Sequence, residues 1–322
     1  MDRKKIIVFT RSIVALVAIG FGSSAAIAGG FLNIEFTQNY LESNFDDPPS
    51  LVINNAYWPL APDTNPRVFT YIGFADGECV VDQVSVNDTI LGATYTLTGA
   101  APYTDLEVVQ VVDTEWVFEV EEEEDCDVAL LPDDDAIAEK TLDWYLEDNQ
   151  ENIWYMGEYS QSFDEEDGCD EYEFVAGGAS IPDVCKEGSW EAGMNGAPAG
   201  EDEVIGIAGI VVPGNEPVAG EPLTKGTYYM QEEAYEAEDM AKILRLDASL
   251  SVDVENVNID WDYDNCRKVK EWNPFEHGQS VEHKWYCHHA GIGPGLVLIE
   301  GVGGGRTEIE ELVEIDPPLI NP

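Results

Sequence analysis

The chain has 322 residues and carries 65 acidic side chains against 15 basic ones, a formal net charge of -50. This charge repels nucleic acid and anionic membranes, so we exclude both as partners of the mature chain. Hydrophobic residues make up 44% of the sequence, which is enough for a packed core and is atypical of acidic disordered tails. The sequence therefore predicts a folded acidic protein that is screened by cations.

The first 28 residues have the pattern of a secretory signal peptide. Arg3, Lys4 and Lys5 precede an apolar run at 13–21, and an A-x-A pattern ends at Ala28. A membrane anchor is the alternative, but the apolar run is short for a span of about 20 residues. We predict a secreted, extracellular protein with a signal peptide at 1–28, an extended arm at 29–56, a β domain at 57–316 and a tail at 317–322.

The arm is predicted to carry one short strand. Leu32, Ile34 and Phe36 alternate with polar residues, and a polar stretch with Pro48 and Pro49 follows. Two interpretations are open. The strand folds back as an edge strand on its own domain, or it is donated to the sheet of a neighbouring subunit by β-augmentation. Repeated head-to-tail donation does not close and builds a filament.

Alternating apolar and polar residues predict strands throughout the first half of the chain. They cover 67–74, 80–86, 90–97, 106–120, 141–146 and 152–158. Three runs of acidic residues, at 121–125, 133–135 and 164–167, are typical of solvated loops. Arg67, Lys140 and Lys186 are the only basic residues between Gly29 and Leu223, so internal ion pairs cannot neutralise this half.

The second half continues the same pattern. Residues 232–244 could hold a helical turn or two, and apolar residues then alternate strictly at 244–254. Further strands are predicted at 265–272, 281–288, 295–300 and 307–315, separated by Gly, Pro or Asn clusters. The predicted fold is all-β, an antiparallel meander forming a twisted sheet, sandwich or open barrel with long acidic loops.

All four histidines lie close together near Glu276, Glu282 and Cys287. If 281–288 is a strand, two of them share one face and a third points to the other, an arrangement that can hold zinc or copper. The alternative is that they are surface or cross-strand partners of the neighbouring acids. The four are His277, His283, His288 and His289.

Six cysteines in an exported chain predict three disulfides. Local geometry favours Cys266 with Cys287 on neighbouring strands and Cys169 with Cys185 across one loop, which leaves Cys79 with Cys126. A metal site built from these cysteines is disfavoured, because the sequence has no C-x-x-C pair.

Six short motifs occur in order along the chain. They are YWPLAP at 57–62, DWY at 143–145, NIWYMGE at 152–158, EGSWEAG at 187–193, EAEDMA at 236–241 and VEHKWY at 281–286. Together they resemble a widespread family of uncharacterised secreted bacterial proteins. The resemblance covers roughly residues 57–315 and implies an exported β-rich domain without a catalytic assignment. The cysteine-bearing acidic insertions and the extra histidines depart from the family pattern.

Clusters of oxygen-bearing side chains suit calcium, which takes six to eight oxygen ligands with tolerant geometry. No EF-hand loop is present, so calcium rests on charge density, and each carboxylate has the alternative role of a solvated side chain or turn cap. The candidate ligands are Asp148, Asn152, Glu158, Glu187, Glu191, Glu236, Glu238, Asp239 and Glu282.

Three functions remain open. The first is a secreted calcium-binding structural protein that self-assembles into filaments through its N-terminal strand, with calcium bridging acidic faces. The second is a monomeric calcium- or carbohydrate-binding module, and the third is a secreted glycoside hydrolase. No catalytic signature supports the hydrolase, because so many acids guarantee a suitably spaced pair by number alone. No organic cofactor is indicated, and a salt-rich habitat is another explanation of the acidity.

Overall fold

The structure is a computed structural model that describes most of the chain after residue 28. The described residues are 29–60, 65–75, 78–120, 126, 137–163, 168–169, 172–174, 181–186, 188–197, 202–235, 237–252, 261–275, 281–288, 295–302 and 308–316. The predicted signal peptide, the three acidic runs and the predicted tail lie outside these residues.

One α-helix, one 3-10 helix (Asp183–Lys186) and fourteen strands make up the regular structure of the described residues. The α-helix is α1 (Gln38–Asn44). The strands are β1 (Arg67–Ala75), β2 (Glu78–Val86), β3 (Thr94–Thr96), β4 (Glu107–Glu119), β5 (Ile137–Glu147), β6 (Ile153–Ser162), β7 (Trp190–Glu191), β8 (Ile207–Val212), β9 (Tyr228–Ala234), β10 (Ala237–Val252), β11 (Trp261–Trp272), β12 (Val281–Cys287), β13 (Leu296–Gly301) and β14 (Glu308–Asp316).

Twelve of the described strands form a closed antiparallel barrel. Its order is β1-β2-β4-β5-β6-β8-β9-β10-β11-β12-β13-β14, and β14 returns to pair with β1. β3 continues the edge of β4 beyond β2, and β7 pairs with β6 outside the ring. The all-β antiparallel meander predicted from the sequence is confirmed, and closure of the ring leaves its strands without a free edge.

The predicted strands agree with the structure to within a few residues, with two exceptions. Residues 90–97 were expected to be one strand, but only Thr94–Thr96 is extended. Asp88 accepts hydrogen bonds from the backbone N–H groups of Ile90 and Leu91 at 2.8 and 2.7 Å. This side-chain contact forms a turn where apolar residues alone had indicated a strand.

The helical turn expected at 232–244 is wrong, because this segment contains the ends of two long strands. Ala237 is the partner of Ala234 across the turn, and Glu238 is the partner of Glu233. Its Glu, Ala and Met residues have high helix propensity. The sheet overrides that propensity, since both strands are needed to complete the ring.

The arm contains the short helix α1, which the sequence analysis did not predict. Thr37 caps the helix and accepts a hydrogen bond from Tyr40 N at 3.1 Å. Before the helix, Leu32 N donates to Tyr228 O at 2.8 Å. Leu32 and Phe36 are 3% and 5% exposed, and the Phe36 ring stacks on Tyr103 at 5.2 Å. The arm therefore packs on its own chain.

Residues 52–60, where the arm meets the predicted β domain, fill one end of the barrel interior, and we call them the plug. The Trp58 ring lies 5.5 Å from the Tyr145 ring on β5 and 5.8 Å from the Tyr286 ring on β12. Because β5 and β12 are not neighbours in the ring, a side chain that contacts both must lie across the interior. Gly295 N also donates to Tyr57 O at 3.0 Å, which fixes the plug to the barrel wall.

Three disulfides are formed with the predicted pairing: Cys79–Cys126, Cys169–Cys185 and Cys266–Cys287. Cys266 and Cys287 are direct register partners on β11 and β12. The Cys169–Cys185 bridge holds a small separate cluster that includes Ile181.

Candidate functional site

Neighbouring strands bring carboxylates together at the end of the interior away from Trp58. Asp143 is two residues from Tyr145 on β5, so both face the interior. Asp143 is the register partner of Glu158 on β6. On the other side, Glu115 on β4 pairs with Glu139 on β5 and with Asp82 on β2. The interior therefore changes from aromatic to acidic along the strands.

These carboxylates surround a cavity of about 170 Å³. Thr141 lines it as well, and no Lys, Arg or His is among the lining residues that the structure describes. The volume is comparable with the roughly 150 Å³ of an engineered protein cavity that accommodates benzene. The six carboxylates that line it are Asp82, Asp113, Glu115, Glu139, Asp143 and Glu158.

A tyrosine connects two of these carboxylates. The Tyr155 hydroxyl lies 2.5 Å from Asp143 Oδ1 and 2.6 Å from Glu158 Oε2. A hydroxyl has one hydrogen and can donate to only one of the two oxygens at a time. The other carboxyl must carry a proton of its own to make a hydrogen bond to the tyrosine oxygen. At least one of these two carboxyls therefore carries a proton when both contacts to Tyr155 are made.

Burial raises the acid pKa values around the cavity. It raises the pKa of Asp82 and of Asp143 to about 7, and the neighbouring charge of Asp113 adds to the effect at Asp143. Burial also raises the pKa of Asp113 and of Glu158 well above the ordinary value, with further contributions from Asp82 and Glu232 respectively. Each ionised carboxylate disfavours ionisation of the next, so the group titrates as a unit.

Asp113 provides the least satisfied atom of the cavity. Its Oδ1 is buried and has no hydrogen-bond partner in the described part of the chain. A buried carboxyl oxygen without a hydrogen-bond partner destabilises the fold by about 1–3 kcal/mol. Such an oxygen is an unused ligand position at the wall of an acidic cavity.

Strands β9, β11 and β12 form the opposite wall of the barrel and carry further acids. Among the described residues near the cavity, this wall also has one interior lysine, Lys284. Lys284 Nζ lies 2.9 Å from Glu271 Oε2 and 3.6 Å from Glu282 Oε2. Burial alone would lower the pKa of Lys284, but these two carboxylates outweigh it and raise that pKa. Burial and the charge of Asp239 raise the pKa of Glu232 to about 8. The lysine therefore stays charged and forms an ion pair with Glu271.

Of the predicted calcium ligands, Glu158 lines this cavity. Asp239 raises the pKa of Glu232 on the opposite wall, and Glu282 lies 3.6 Å from Lys284 Nζ there. Asp239 is the register partner of Glu232 on β9, and Glu238 is the partner of Glu233. Glu187 and Glu236 lie outside the described residues. The structure thus brings only part of the predicted set to one place.

Asp148 and Asn152 lie elsewhere, in the loop between β5 and β6. Asp148 accepts hydrogen bonds from the N–H groups of Gln150 and Asn152, from the Asn152 side chain and from Trp154 Nε1, at 2.8–3.0 Å. Asn152 Oδ1 accepts from Gly214 N at 2.9 Å. These contacts hold the loop together, and the calcium-ligand role predicted for both residues stays a prediction.

Glu191 on β7 has a similar set of protein donors. It accepts hydrogen bonds from Gly99 N at 2.8 Å, from the Thr98 hydroxyl at 3.0 Å and from the Tyr95 hydroxyl at 3.1 Å. Thr98 N also donates to it. The side chain ties the 95–99 segment to β7, away from the cavity lining.

The two described histidines lie in different surroundings. His283 Nδ1 is 3.7 Å from Glu300 Oε2, and burial together with the charge of Lys268 lowers the pKa of His283. His288 is exposed and its ring meets the Tyr57 ring edge-on at 6.1 Å. His277 and His289 lie outside the described residues, so the predicted zinc or copper site stays a prediction.

Within the described residues, no group of three or more His, Cys, Asp or Glu side chains could hold a metal ion as it stands. The carboxylates are spread around the cavity wall. A cation bound there must therefore bring part of its own ligand shell as water, or draw the side chains inward.

Asp82, Asp113 and Asp143 were missed by sequence reasoning, although the strand pattern contained the signal. Each lies two residues from an apolar core residue of its strand, namely Val84, Val111 and Tyr145 respectively, and so faces the barrel interior as that residue does. A charge at an inward position of a predicted strand indicates a buried acid.

No protein-family model and no curated protein matches the chain. One similar solved structure is described as an exported protein with a YmcC-like fold from Bacteroides fragilis NCTC 9343. It is 12% identical, covers 80% of this chain and 98% of its own, and has a TM-score of 0.34. Another, described as a lipoprotein from Parabacteroides distasonis ATCC 8503, is 12% identical, covers 81% and 99%, and has a TM-score of 0.35. Similarity this distant says nothing about function.

None of the described helical segments has the length and apolar composition needed to cross a bilayer.

Proposed function

We propose that this protein is an exported, monomeric cation-binding module that holds calcium, with part of its water shell, in the carboxylate cavity of the barrel. The observation that carries the proposal is the buried Asp113 Oδ1, which faces no donor in a cavity lined by six carboxylates. A calcium ion would supply the missing positive charge.

The size of the cavity favours a partly hydrated ion. A volume of about 170 Å³ exceeds what a bare ion fills, and calcium tolerates six to eight oxygen ligands from carboxylates and water alike. Water-mediated contacts are nearly as favourable in enthalpy as direct ones. No basic side chain among the described lining residues competes with the ion for these carboxylates.

Export is supported by the signal-peptide pattern at 1–28 and by three disulfides, which persist in oxidising compartments. Calcium is also more abundant outside cells, so a site of moderate affinity is useful there.

Self-assembly into filaments is the weaker candidate. The donor-strand interpretation needs Leu32 and Phe36 to fill pockets in a neighbouring subunit, whereas both pack in the core of their own chain. Light scattering with and without calcium tests it, since a monomer under both conditions rejects filament assembly and large calcium-dependent particles support it.

The proposed function is tested by calorimetric titration of the disulfide-bonded mature chain with calcium chloride. We expect saturable binding that is lost in Asp113→Asn/Asp143→Asn, since amides mimic the protonated, uncharged side chains and leave the fold intact. The matched control is Glu35→Gln/Glu203→Gln, which removes the same charge from exposed positions. A wild-type chain without saturable binding, or a double Asn variant that binds as well as wild type, overturns the proposal.

A further inference from the structure

The outer face of strands β10 and β11 carries a concentration of positive charge, formed by Lys242, Arg245, Lys268 and Lys270, which we name the basic strip. Lys242 is the register partner of Lys270, and Arg245 is the partner of Lys268. Acids outnumber bases by 65 to 15 in this chain, so four bases on one face depart sharply from its composition.

The strip lies outside the barrel. Lys268 and Lys270 alternate on β11 with Arg267, Val269 and Glu271, which are 2%, 1% and 7% exposed. Successive side chains of a strand point to opposite faces, so the lysines face away from the interior. The strip is separated from the acidic cavity by the sheet itself.

Its charges are only partly neutralised. Lys268 pairs with Glu300, whereas in the described part of the chain no ion pair involves Lys242, Arg245 or Lys270. Like charges directly opposite each other on neighbouring strands destabilise a sheet. The Lys242–Lys270 pair therefore costs stability, and an anion bound between the two would offset that cost.

Two tryptophans stand beside the lysines on the same face. Lys270 Nζ lies 4.9 Å from the centre of the Trp272 ring, and Lys268 Nζ lies 4.6 Å from the centre of the Trp285 ring. Trp285 Nε1 donates to Glu300 at 3.0 Å, which fixes its orientation. The strip thus combines cations with two half-buried aromatic rings, of which Trp285 is oriented by its hydrogen bond to Glu300.

We propose that the basic strip binds a short acidic oligosaccharide, one whose sugar units carry carboxylate groups. Carboxylates pair with Lys242, Arg245 and Lys270, while apolar sugar faces pack against Trp272 and Trp285. Charge complementarity selects an anion, and the aromatic rings select a sugar over an acidic peptide.

The net negative charge of the protein does not prevent this contact. Exposed charges are screened beyond about 8 Å at physiological ionic strength. Neighbouring strands are about 4.8 Å apart, so a ligand seated across β10 to β12 lies within one screening length of the strip. Binding is therefore governed by local charge, and the proposal is independent of the calcium site.

The probe is a galacturonic acid tetramer, titrated into the disulfide-bonded mature chain at physiological salt with EDTA present, so that calcium cannot bridge protein and sugar. We expect saturable binding, and about tenfold weaker binding for Lys242→Gln/Lys270→Gln, since two surface charge pairs are lost. Lys186→Gln/Lys225→Gln removes two positive charges away from the strip and should bind like wild type. Trp272→Ala should also weaken binding.

A neutral galactose tetramer and a glutamate tetrapeptide complete the test, and neither should bind. Equal binding of the glutamate peptide overturns the assignment to sugar, and equal binding of the neutral sugar overturns the role of charge. No binding of the acidic tetramer, or binding unchanged in Lys242→Gln/Lys270→Gln, overturns the site. A folded Lys242→Gln/Lys270→Gln chain, shown by unchanged circular dichroism, is required for the comparison.

Discussion

The hydroxyl of Tyr40 donates a hydrogen bond to Asp148 Oδ2 over 2.5 Å, although 108 residues separate the two in sequence. Burial raises the pKa of Tyr40 above its ordinary value, and the charge of Asp148 raises it further, so the hydroxyl keeps its proton. This bond ties α1 to the loop between β5 and β6. The arm is thereby attached to the barrel through a polar contact as well as through its apolar side chains.

Replacing Asp148 by Ala should destabilise the protein by about 3 kcal/mol or more, because it leaves several buried donors without an acceptor. Tyr40→Phe, which removes one hydrogen bond, should cost only about 1 kcal/mol. Urea unfolding followed by tryptophan fluorescence measures both, with exposed Glu35→Gln as control. If Asp148 were a calcium ligand instead, its replacement would lower stability only in the presence of calcium.

Trp58→Ala should destabilise the protein by about 3–5 kcal/mol, as expected for a large aromatic side chain removed from a packed interior. The Tyr145 and Tyr286 rings that contact Trp58 belong to strands across the barrel, so they cannot easily close the gap. Thermal unfolding provides the measurement. A loss under 1 kcal/mol would show that the plug does not support the barrel. Exposed Val52→Ala in the same segment is the matched control.

In calcium-free buffer, stability should fall as pH rises from about 4 to about 7. The pKa values of Asp82 and Asp143 are raised to about 7 in the folded protein and lie near 4 when unfolded. Between these values the folded state binds more protons, so the free energy of unfolding decreases with increasing pH. Below pH 4 and above pH 7 this contribution is constant.

The check is a series of thermal melts from pH 5 to pH 8 with EDTA and again with calcium. Calcium should raise the melting temperature more at pH 8 than at pH 5, because bound protons compete with the ion. Asp82→Asn/Asp143→Asn should flatten the pH dependence. A wild-type melting temperature that rises from pH 5 to pH 8 in EDTA would contradict the protonated cluster.

Lys284→Met should cost about 3–5 kcal/mol at pH 8, because it leaves Glu271 buried without its counter-charge. The loss should be smaller in a chain that also carries Glu271→Gln, because an amide needs no counter-charge. Urea unfolding of the single and the double variant measures the difference, with the exposed Lys225→Met as control. An equal loss with and without Glu271→Gln would show that packing of the lysine stem matters more than its charge.

Sequence periodicity predicted most of the strands, because alternation is set locally by which side of each strand is buried. It did not predict β7, β8 or β9. It located β4 and β14 to within a residue or two. Closure of the ring could not be predicted, since it depends on β14 pairing with β1 across the whole chain. The helix expected at 232–244 failed for the same reason, because pairing of distant strands overrode local propensity.

The carboxylates that line the cavity were hardly predicted from the sequence. The excess of acids predicted bound cations, which stays a prediction, and of the six lining carboxylates only Glu158 was among the predicted ligands. Asp113 and Glu139 come together only because β4 lies beside β5 in a particular register. Asp148 and Glu191 were predicted as ligands on the same grounds as Glu158. Their carboxylate oxygens instead accept hydrogen bonds from donors of the protein itself. Composition therefore indicates the chemistry, whereas register decides which carboxylates meet.

The pairing of β1 with β14 also constrains the order of folding. These strands are the first and the last of the ring, so the seam brings together residues more than 200 positions apart, such as Phe69 and Ile315. Contacts of such large sequence separation form slowly, since a long loop must close first. A chain that emerges from one end during translocation would expose an unpaired β1 edge until β14 arrives. We expect the seam to be the last part of the barrel to become protected from hydrogen exchange during refolding.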